Sequence, residues 1–171
     1  MKHILLTIPL ICTMLVHAPR ITHAAMQENM FSFSLGHYDL IDQENQAVDI
    51  RGELRFKQQV LGFLHPCVGL EFTSDRALYG AAGMLADISL GEKWHVIPSL
   101  GAGLYADGNG KQLGHTIQFR SQLELSYEFE NKHRFGVSFS HLSNCHLDDD
   151  NPGSEVLALT YSIPLPYDAP K

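Results

Sequence analysis

The chain has 171 residues, with 12 Lys and Arg against 19 Asp and Glu and a formal net charge of −7. That length suits one domain, and so acidic a chain is not a general nucleic-acid binder, which must neutralise phosphates. Three cysteines make no disulfide framework, and no segment after the first 24 residues approaches the ~20 apolar residues of a membrane-spanning helix.

The N-terminus reads as a targeting segment. Met1-Lys2-His3 is a short basic start, and Ile4 to Val16 is an apolar run broken only by Thr7, Pro9 and Thr13. Thr22-His23-Ala24 then offers small residues at the two positions a signal peptidase reads. Residues 1–24 are therefore expected to be a secretory signal peptide, cleaved after Ala24 or Ala25, with 25–171 forming the mature domain. Cys12 lacks the small residues that a lipoprotein signal places before its cysteine. Cleavage would remove Lys2 and Arg20 and no acid, moving the net charge to −9 and leaving two cysteines, Cys67 and Cys145.

From there the hydrophobic period is two, which means strands. Eight segments carry it: 31–40, 48–57, 67–74, 77–90, 95–106, 117–129, 133–143 and 155–163. In the sixth, Ile117, Phe119, Leu123, Leu125, Tyr127 and Phe129 alternate with Gln118, Arg120, Gln122, Glu124, Ser126 and Glu128. In the second, Val48, Ile50, Leu54 and Phe56 alternate with Asp49, Arg51, Glu53, Arg55 and Lys57. Residues 91–93 and 130–132 are tight turns, whereas 41–46, 107–115 and 144–154 are longer and polar; 58–66 and 75–76 depart from this division. The expected fold is all-β, an eight-stranded antiparallel up-and-down barrel. Short turns at one end and long loops at the other are the outer-membrane layout, with both termini in the periplasm. Alternation does not say which face points out, so a soluble barrel with an apolar interior has the same sequence pattern. Segment length, the interleaved charges of Asp49, Arg51, Glu53 and Arg55, and the export signal favour a membrane barrel. In such a barrel Cys67 and Cys145 sit at opposite ends, beyond the ~7 Å reach of a disulfide, and both should be free thiols.

The seventh segment ends Ser140-His141-Leu142-Ser143-Asn144, and the eighth starts at Glu155. Serine as nucleophile, histidine as its base and a carboxylate to orient the imidazole are what acyl transfer needs. His141 and Ser143 are two apart and share a strand face. In a regular hairpin His141 would lie directly opposite Glu155, with Cβ atoms ~5 Å apart. All three lie on the apolar face, with Phe135, Val137 and Phe139 on one strand and Leu157, Leu159 and Tyr161 on the next. In a membrane barrel that face meets lipid, and the trio sits at its outer end, near the headgroups. These residue types alone leave catalysis and an ordinary polar strand end both open.

His141-Leu142-Ser143-Asn144, then Asn151-Pro152-Gly153-Ser154-Glu155, then Leu159-x-Tyr161-Ser162-Ile163-Pro164, with their spacing, resemble the lipid A 3-O-deacylase (acyloxyacyl hydrolase) family of outer-membrane enzymes. Ala77-Leu78-Tyr79-Gly80, Gly91-Glu92-Lys93-Trp94 and Leu113-Gly114-His115-x-Ile117-x-Phe119-Arg120-Ser121 also look like members of it. The resemblance implies a carboxylic ester hydrolase with a lipid-facing triad: Ser143 the nucleophile, His141 the general base, Glu155 the orienting acid. It further implies Asn144 and Asn151 as oxyanion candidates, and as substrate the 3-hydroxyacyl chain ester-linked at position 3 of lipid A, part of the lipopolysaccharide in the outer leaflet. It calls for no cofactor and no metal. Cys145-His146 stands where the family has small residues.

Asp148-Asp149-Asp150 with His146 reads as a solvated acidic loop ahead of a cation site, since no ligand spacing is present. Trp94, Tyr127 and Tyr161 suit an interfacial aromatic belt, and Tyr105 suits either the belt or the lumen. Two rivals share the sequence pattern: a non-catalytic structural or adhesive barrel, and an outer-membrane phospholipase. Monomer and homodimer are both open.

Overall fold

The structure is a computed structural model that describes residues 21–23 and 26–165. The expected signal peptide, apart from Ile21–His23, and its cleavage junction lie outside the described residues. The strands are β1 (Ile21–His23), β2 (Asn29–Tyr38), β3 (Ala47–Arg55), β4 (Leu64–Thr73), β5 (Leu78–Ala86), β6 (Ile88–Leu90), β7 (Trp94–Ala106), β8 (Ile117–Glu128), β9 (Arg134–Ser143) and β10 (Ser154–Leu165). Eight of them, β2, β3, β4, β5, β7, β8, β9 and β10, pair antiparallel in that order, and β10 pairs back to β2 to close a barrel. β6 continues β5 along β7, and β1 pairs with the other edge of β6.

Most strand boundaries fall within two residues of the sequence expectation, and the two larger departures are both at prolines. The expected segment 77–90 is broken at Asp87, because Ala86 and Asp87 face Ile97 and Pro98 on β7 and a proline donates no hydrogen bond. β4 begins earlier than expected, at Leu64, and runs through Pro66, whose carbonyl still accepts from Phe56 N–H at 2.9 Å.

The faces decide which barrel this is. Phe31, Phe33 and Leu35 on β2, Val48, Ile50 and Leu54 on β3, and Phe135, Val137 and Phe139 on β9 all point out and are exposed. Between them Ser32, Ser34, Asp49, Arg51, Glu53, Arg55 and Ser138 point in and are buried. The exterior is apolar and the interior polar, the inverse of a soluble barrel and the requirement for a barrel in lipid. Trp94, Tyr127 and Phe129 stack edge to face, with centroids 5.2 and 5.4 Å apart, at the short-turn end, where Tyr161 also pairs with His133. Tyr105 belongs instead to the lumen: it is buried, and its hydroxyl donates to the Lys111 carbonyl.

The lumen is filled. Arg55 bridges Glu53 at 2.8 Å and Glu124 at 2.7 Å, and Arg120 bridges Glu53 at 2.9 Å and Glu71 at 3.1 Å. Above this lattice an apolar cluster that includes Tyr38, Tyr79, Tyr105, Leu113 and Leu142 closes the long-loop end, and Met26, Met30, Cys67, Leu85 and Ile97 cluster towards the other. Cys67 is buried and Cys145 exposed, and both are free thiols.

A polar clamp crosses the loop end. Lys111 Nζ donates to Asp39 Oδ1 at 2.6 Å and to Asp42 Oδ2 at 2.8 Å, and the Glu44 and Asn45 amides donate to Asp39 Oδ2. Burial by itself would raise the Asp39 pKa, but the hydrogen bonds from Lys111, Asn45 and Glu44 outweigh it and hold the carboxyl below its ordinary value. Burial by itself would lower the Lys111 pKa, but Asp39 and Asp42 raise it above the ordinary lysine value. The carboxyl's contribution is present above the ordinary carboxylate pKa and is lost as pH falls through its depressed folded value. The lysine's is present below the ordinary lysine pKa and is lost as pH rises through its raised one.

Two outcomes follow from these contacts. Glu124→Ala leaves Arg55 buried with one partner instead of two, a change expected to destabilise by about 3–5 kcal/mol. The temperature at which the folded band is lost on a heated detergent gel should drop, whereas a surface change such as Lys132→Ala should leave it in place. For the clamp, hydrogen exchange in loops 39–46 and 107–116, corrected for its intrinsic pH dependence, should stay slow through neutral pH. It should quicken once pH falls below the ordinary carboxylate range, and Lys111→Met should bring the faster exchange to neutral pH.

Candidate active site

The hairpin β9–β10 carries the polar trio. Its register sets Glu155 directly opposite His141, and Ser154 opposite Leu142. Strand alternation then puts His141, Ser143 and Glu155 on the outer wall, while Leu142, Ser154 and Val156 face the lumen and are buried. His141 Nδ1–H donates to Glu155 Oε1 at 2.9 Å. Glu155 is mostly covered, at 16 % side-chain exposure, and the imidazole is 42 % exposed, so the ring is held from below and open towards a ligand. With Nδ1 engaged, Nε2 is the ring nitrogen left for proton transfer.

Gly153 sets where that nitrogen points. It adopts φ +66° just before β10, and a Cβ built on it would lie 2.9 Å from His141 Cε1 and 3.5 Å from Nε2. The ring thus leans against bare backbone beyond the Leu142–Ser154 rung, on the side of Ser143. The Ser143 hydroxyl lies 3.9 Å from Cys145 Sγ and forms no hydrogen bond with His141.

The loop after Ser143 is organised by Asn144. This residue is fully buried, and its Nδ2 donates to the Leu113 carbonyl at 3.0 Å and the Asp150 carbonyl at 2.7 Å. Its Oδ1 accepts from His146 N–H at 2.8 Å, an arrangement that supports Cys145 and His146 at φ +52° and +61°. Asn144 N–H donates to Asn151 Oδ1 at 2.9 Å. Every donor of Asn144 is therefore committed to loop structure, and so is the His146 amide. Asn151 accepts through its oxygen, and its half-buried Nδ2 makes no hydrogen bond among the described residues. Gly114 is packed against the Asp150 carbonyl and Asn144 Nδ2 with no room for a Cβ, which joins loop 107–116 to loop 144–153. Sequence reasoning singled out neither the Leu113 carbonyl nor the Gly153 contact. The carbonyl has no side-chain signature, and a glycine before a strand reads as a turn residue until the ring beside it is seen.

Two adjoining depressions in the outer wall, of about 610 and 530 Å³, both reach His141 and share Met84, Leu100 and Ser121. Their surfaces are largely apolar. One extends to Ser143 over the small side chains of Ala82 and Ala102, and the other descends past Leu123 and Phe139 to Phe63 and Ala86. His141, Ser143 and Glu155 thus stand at the head of an apolar groove.

The family model described as lipid A 3-O-deacylase (PagL) matches residues 68–164, more than half of the chain. The chain belongs to this family. The lipid A deacylase PagL of Bordetella bronchiseptica (strain ATCC BAA-588 / NCTC 13252 / RB50) is 28% identical over 74 residues, 42% of this chain and 42% of that protein. The match therefore spans less than half the length of this curated relative. The crystal structure of the outer membrane enzyme PagL superposes with a TM-score of 0.60 at 21% identity, covering 80% of this chain and 99% of that one. A de novo designed transmembrane β-barrel superposes with a TM-score of 0.59 at 13% identity, covering 83% and 100%. At those identities the likeness is one of fold: a closed, eight-stranded transmembrane barrel. Family and apolar exterior together place the protein in the bacterial outer membrane, with the loop end outward.

Gly153→Ala tests the seat of the imidazole. The added methyl should displace the ring, and under the general-base role proposed below a misplacement of ~1 Å costs about a hundredfold in turnover. Ester hydrolysis should fall by that order while the heat-dependent gel shift of the folded barrel persists. Wild-type turnover in the variant would show that Gly153 does not position His141.

Proposed function

We propose that the protein hydrolyses the ester that links a 3-hydroxyacyl chain to position 3 of lipid A, with Ser143 as nucleophile, His141 as general base and Glu155 as orienting acid. The observation that carries this reading is where the His141–Glu155 pair sits. It lies on the lipid-facing wall at the loop end, beside Ser143 and at the head of an apolar groove. A soluble substrate would have no reason to meet a site there; a lipid in the outer leaflet presents its ester at that depth.

In this reading Ser143 Oγ attacks the ester carbonyl and passes its proton to His141 Nε2. Glu155 stabilises the imidazolium through Nδ1–H. The tetrahedral oxyanion takes a hydrogen bond from Asn151 Nδ2, while Asn144, whose donors are occupied, acts by holding Asn151 and the loop in place. Collapse breaks the C–O bond to the sugar, whose oxygen takes the proton back from His141. Water, activated by the same imidazole, then cleaves the acyl–Ser143 ester and frees the 3-hydroxy fatty acid.

Ser143→Ala and His141→Asn should each lower lipid A deacylation by about three orders of magnitude or more, and the double variant should be scarcely worse, because the residues act as a unit. Glu155→Gln should do less harm. Asn151→Ala should lower kcat by about 10²–10³-fold, the usual cost of one oxyanion donor. Mass spectrometry of lipid A from expressing cells reads the result as the loss of one hydroxyacyl mass. Near-normal deacylation by folded Ser143→Ala would remove the triad assignment. Cleavage of glycerophospholipids with lipid A left intact would assign the site to a phospholipase.

A further inference from the structure

The outer wall of β8 carries one side chain that neither packing nor the membrane calls for. Its outward residues are Ile117, Phe119, Ser121, Leu123, Leu125 and Tyr127, an apolar row that Ser121 interrupts. Ser121 is exposed, and its hydroxyl makes no hydrogen bond among the described residues. In a wall that faces lipid such a hydroxyl is a cost, because no water is there to pair it. Its place in the register is specific. Ser121 lies directly opposite His141, on the side of the ring away from Glu155, with Cβ atoms ~5 Å apart. The same pairing sets Phe119 opposite Ser143, so Ser121 and Ser143 are diagonal neighbours on one face, roughly 7–8 Å apart. Both line the depression that reaches the imidazole. Among the described residues His37 is the other polar side chain outside the trio on the loop half of this wall. It pairs with Leu157, beyond Glu155, and stands two strands from Ser143.

We propose that Ser121 reads the 3-hydroxyl of the ester-linked chain and so makes the enzyme select 3-hydroxyacyl over plain acyl esters; this rests on the deacylase reading above and adds the residue that sets the substrate class. The fit is one of reach. Once the ester carbonyl carbon is bonded to Ser143 Oγ, four bonds lead from that oxygen to the 3-hydroxyl oxygen, about 5 Å when extended. A hydrogen bond of ~2.8 Å then completes the diagonal to Ser121. Only the first three carbons are involved, wherever the rest of the chain runs. The exchange also has the right sign. A 3-hydroxyl brought against this wall leaves the headgroup water and needs a partner, because an unpaired hydroxyl in apolar surroundings is penalised. Ser121 supplies one, since each hydroxyl can donate or accept, and its own unpaired state ends with the same bond. A plain acyl chain leaves Ser121 unpaired and gains nothing from it.

The experiment compares two lipid A analogues whose ester-linked chain differs only in carrying or lacking the 3-hydroxyl, cleaved by the full-length protein in mixed micelles. The wild-type kcat/KM should favour the hydroxylated chain by about tenfold, the upper weight of one hydrogen bond between neutral groups. Ser121→Ala should bring that ratio close to one through a loss on the hydroxylated chain. Ser121→Thr, which keeps a hydroxyl, should retain most of the ratio. The heat-dependent gel shift checks that each variant is folded. Equal losses on both chains would make Ser121 a support for the imidazole alone. A wild-type ratio near one, or a ratio unaltered in folded Ser121→Ala, would leave it no part in selection. Any of these results overturns the role of Ser121, while cleavage by the wild type keeps the deacylase reading standing. A wild-type protein that cleaves neither analogue removes both.

Discussion

Arg51, Arg55 and Arg120 meet Glu53, Glu71 and Glu124 inside the barrel with almost no exposure to solvent. These charges come from β3, β4 and β8, so the lattice ties one side of the lumen to the other. Because strand side chains alternate, a slip of one residue would put charges into lipid and phenylalanines into the lumen. Register is therefore not a free variable in this fold. The site depends on it: the same register that keeps Glu53 and Glu124 inside puts His141 opposite Glu155 on the outside.

The two faces of the wall divide the work. Inward residues fill the lumen with ion pairs and close it with clusters around Tyr105 and Met26, which leaves a rigid cylinder. Outward residues have only to be apolar along the membrane, so one end of the stripe can carry polar side chains. The contrast between Leu142 and its neighbours His141 and Ser143 shows how local the division is. Alternate residues of one strand face the lumen plug and the outward His141–Glu155 pair.

Loop 144–153 is held more firmly than its acidic, exposed residues suggest. Asn144 binds two carbonyls, one from its own loop and one from loop 107–116, and its amide anchors Asn151. A buried amide with every hydrogen bond made is costly to disturb, so one end of the loop is rigid while Asp148 and Asp149 stay in solvent. The two strained residues, Cys145 and His146, fall where the family resemblance breaks, and the Asn144 side chain makes their left-handed backbone tenable.

The sequence by itself determined the barrel, because a period of two repeated in eight segments has few other solutions, and residues two apart must share a face. His141 opposite Glu155 was legible for the same reason, since both strands belong to one hairpin and a hairpin's register follows from its ends. What the pattern could not decide was which face looks outward, since a soluble and a membrane barrel alternate alike; that took the burial of Arg51, Glu53 and Arg55. Nor could it separate Asn144 from Asn151. One is spent on the carbonyls of Asp150 and of Leu113, the latter 31 residues distant in the chain, and the other keeps its side-chain amide free among the described residues. The groove is likewise a tertiary fact. Phe63 and His141 line one depression, and the pairing of β4, β5, β7, β8 and β9 in one register is what brings a turn from the first half of the chain to residues of the second.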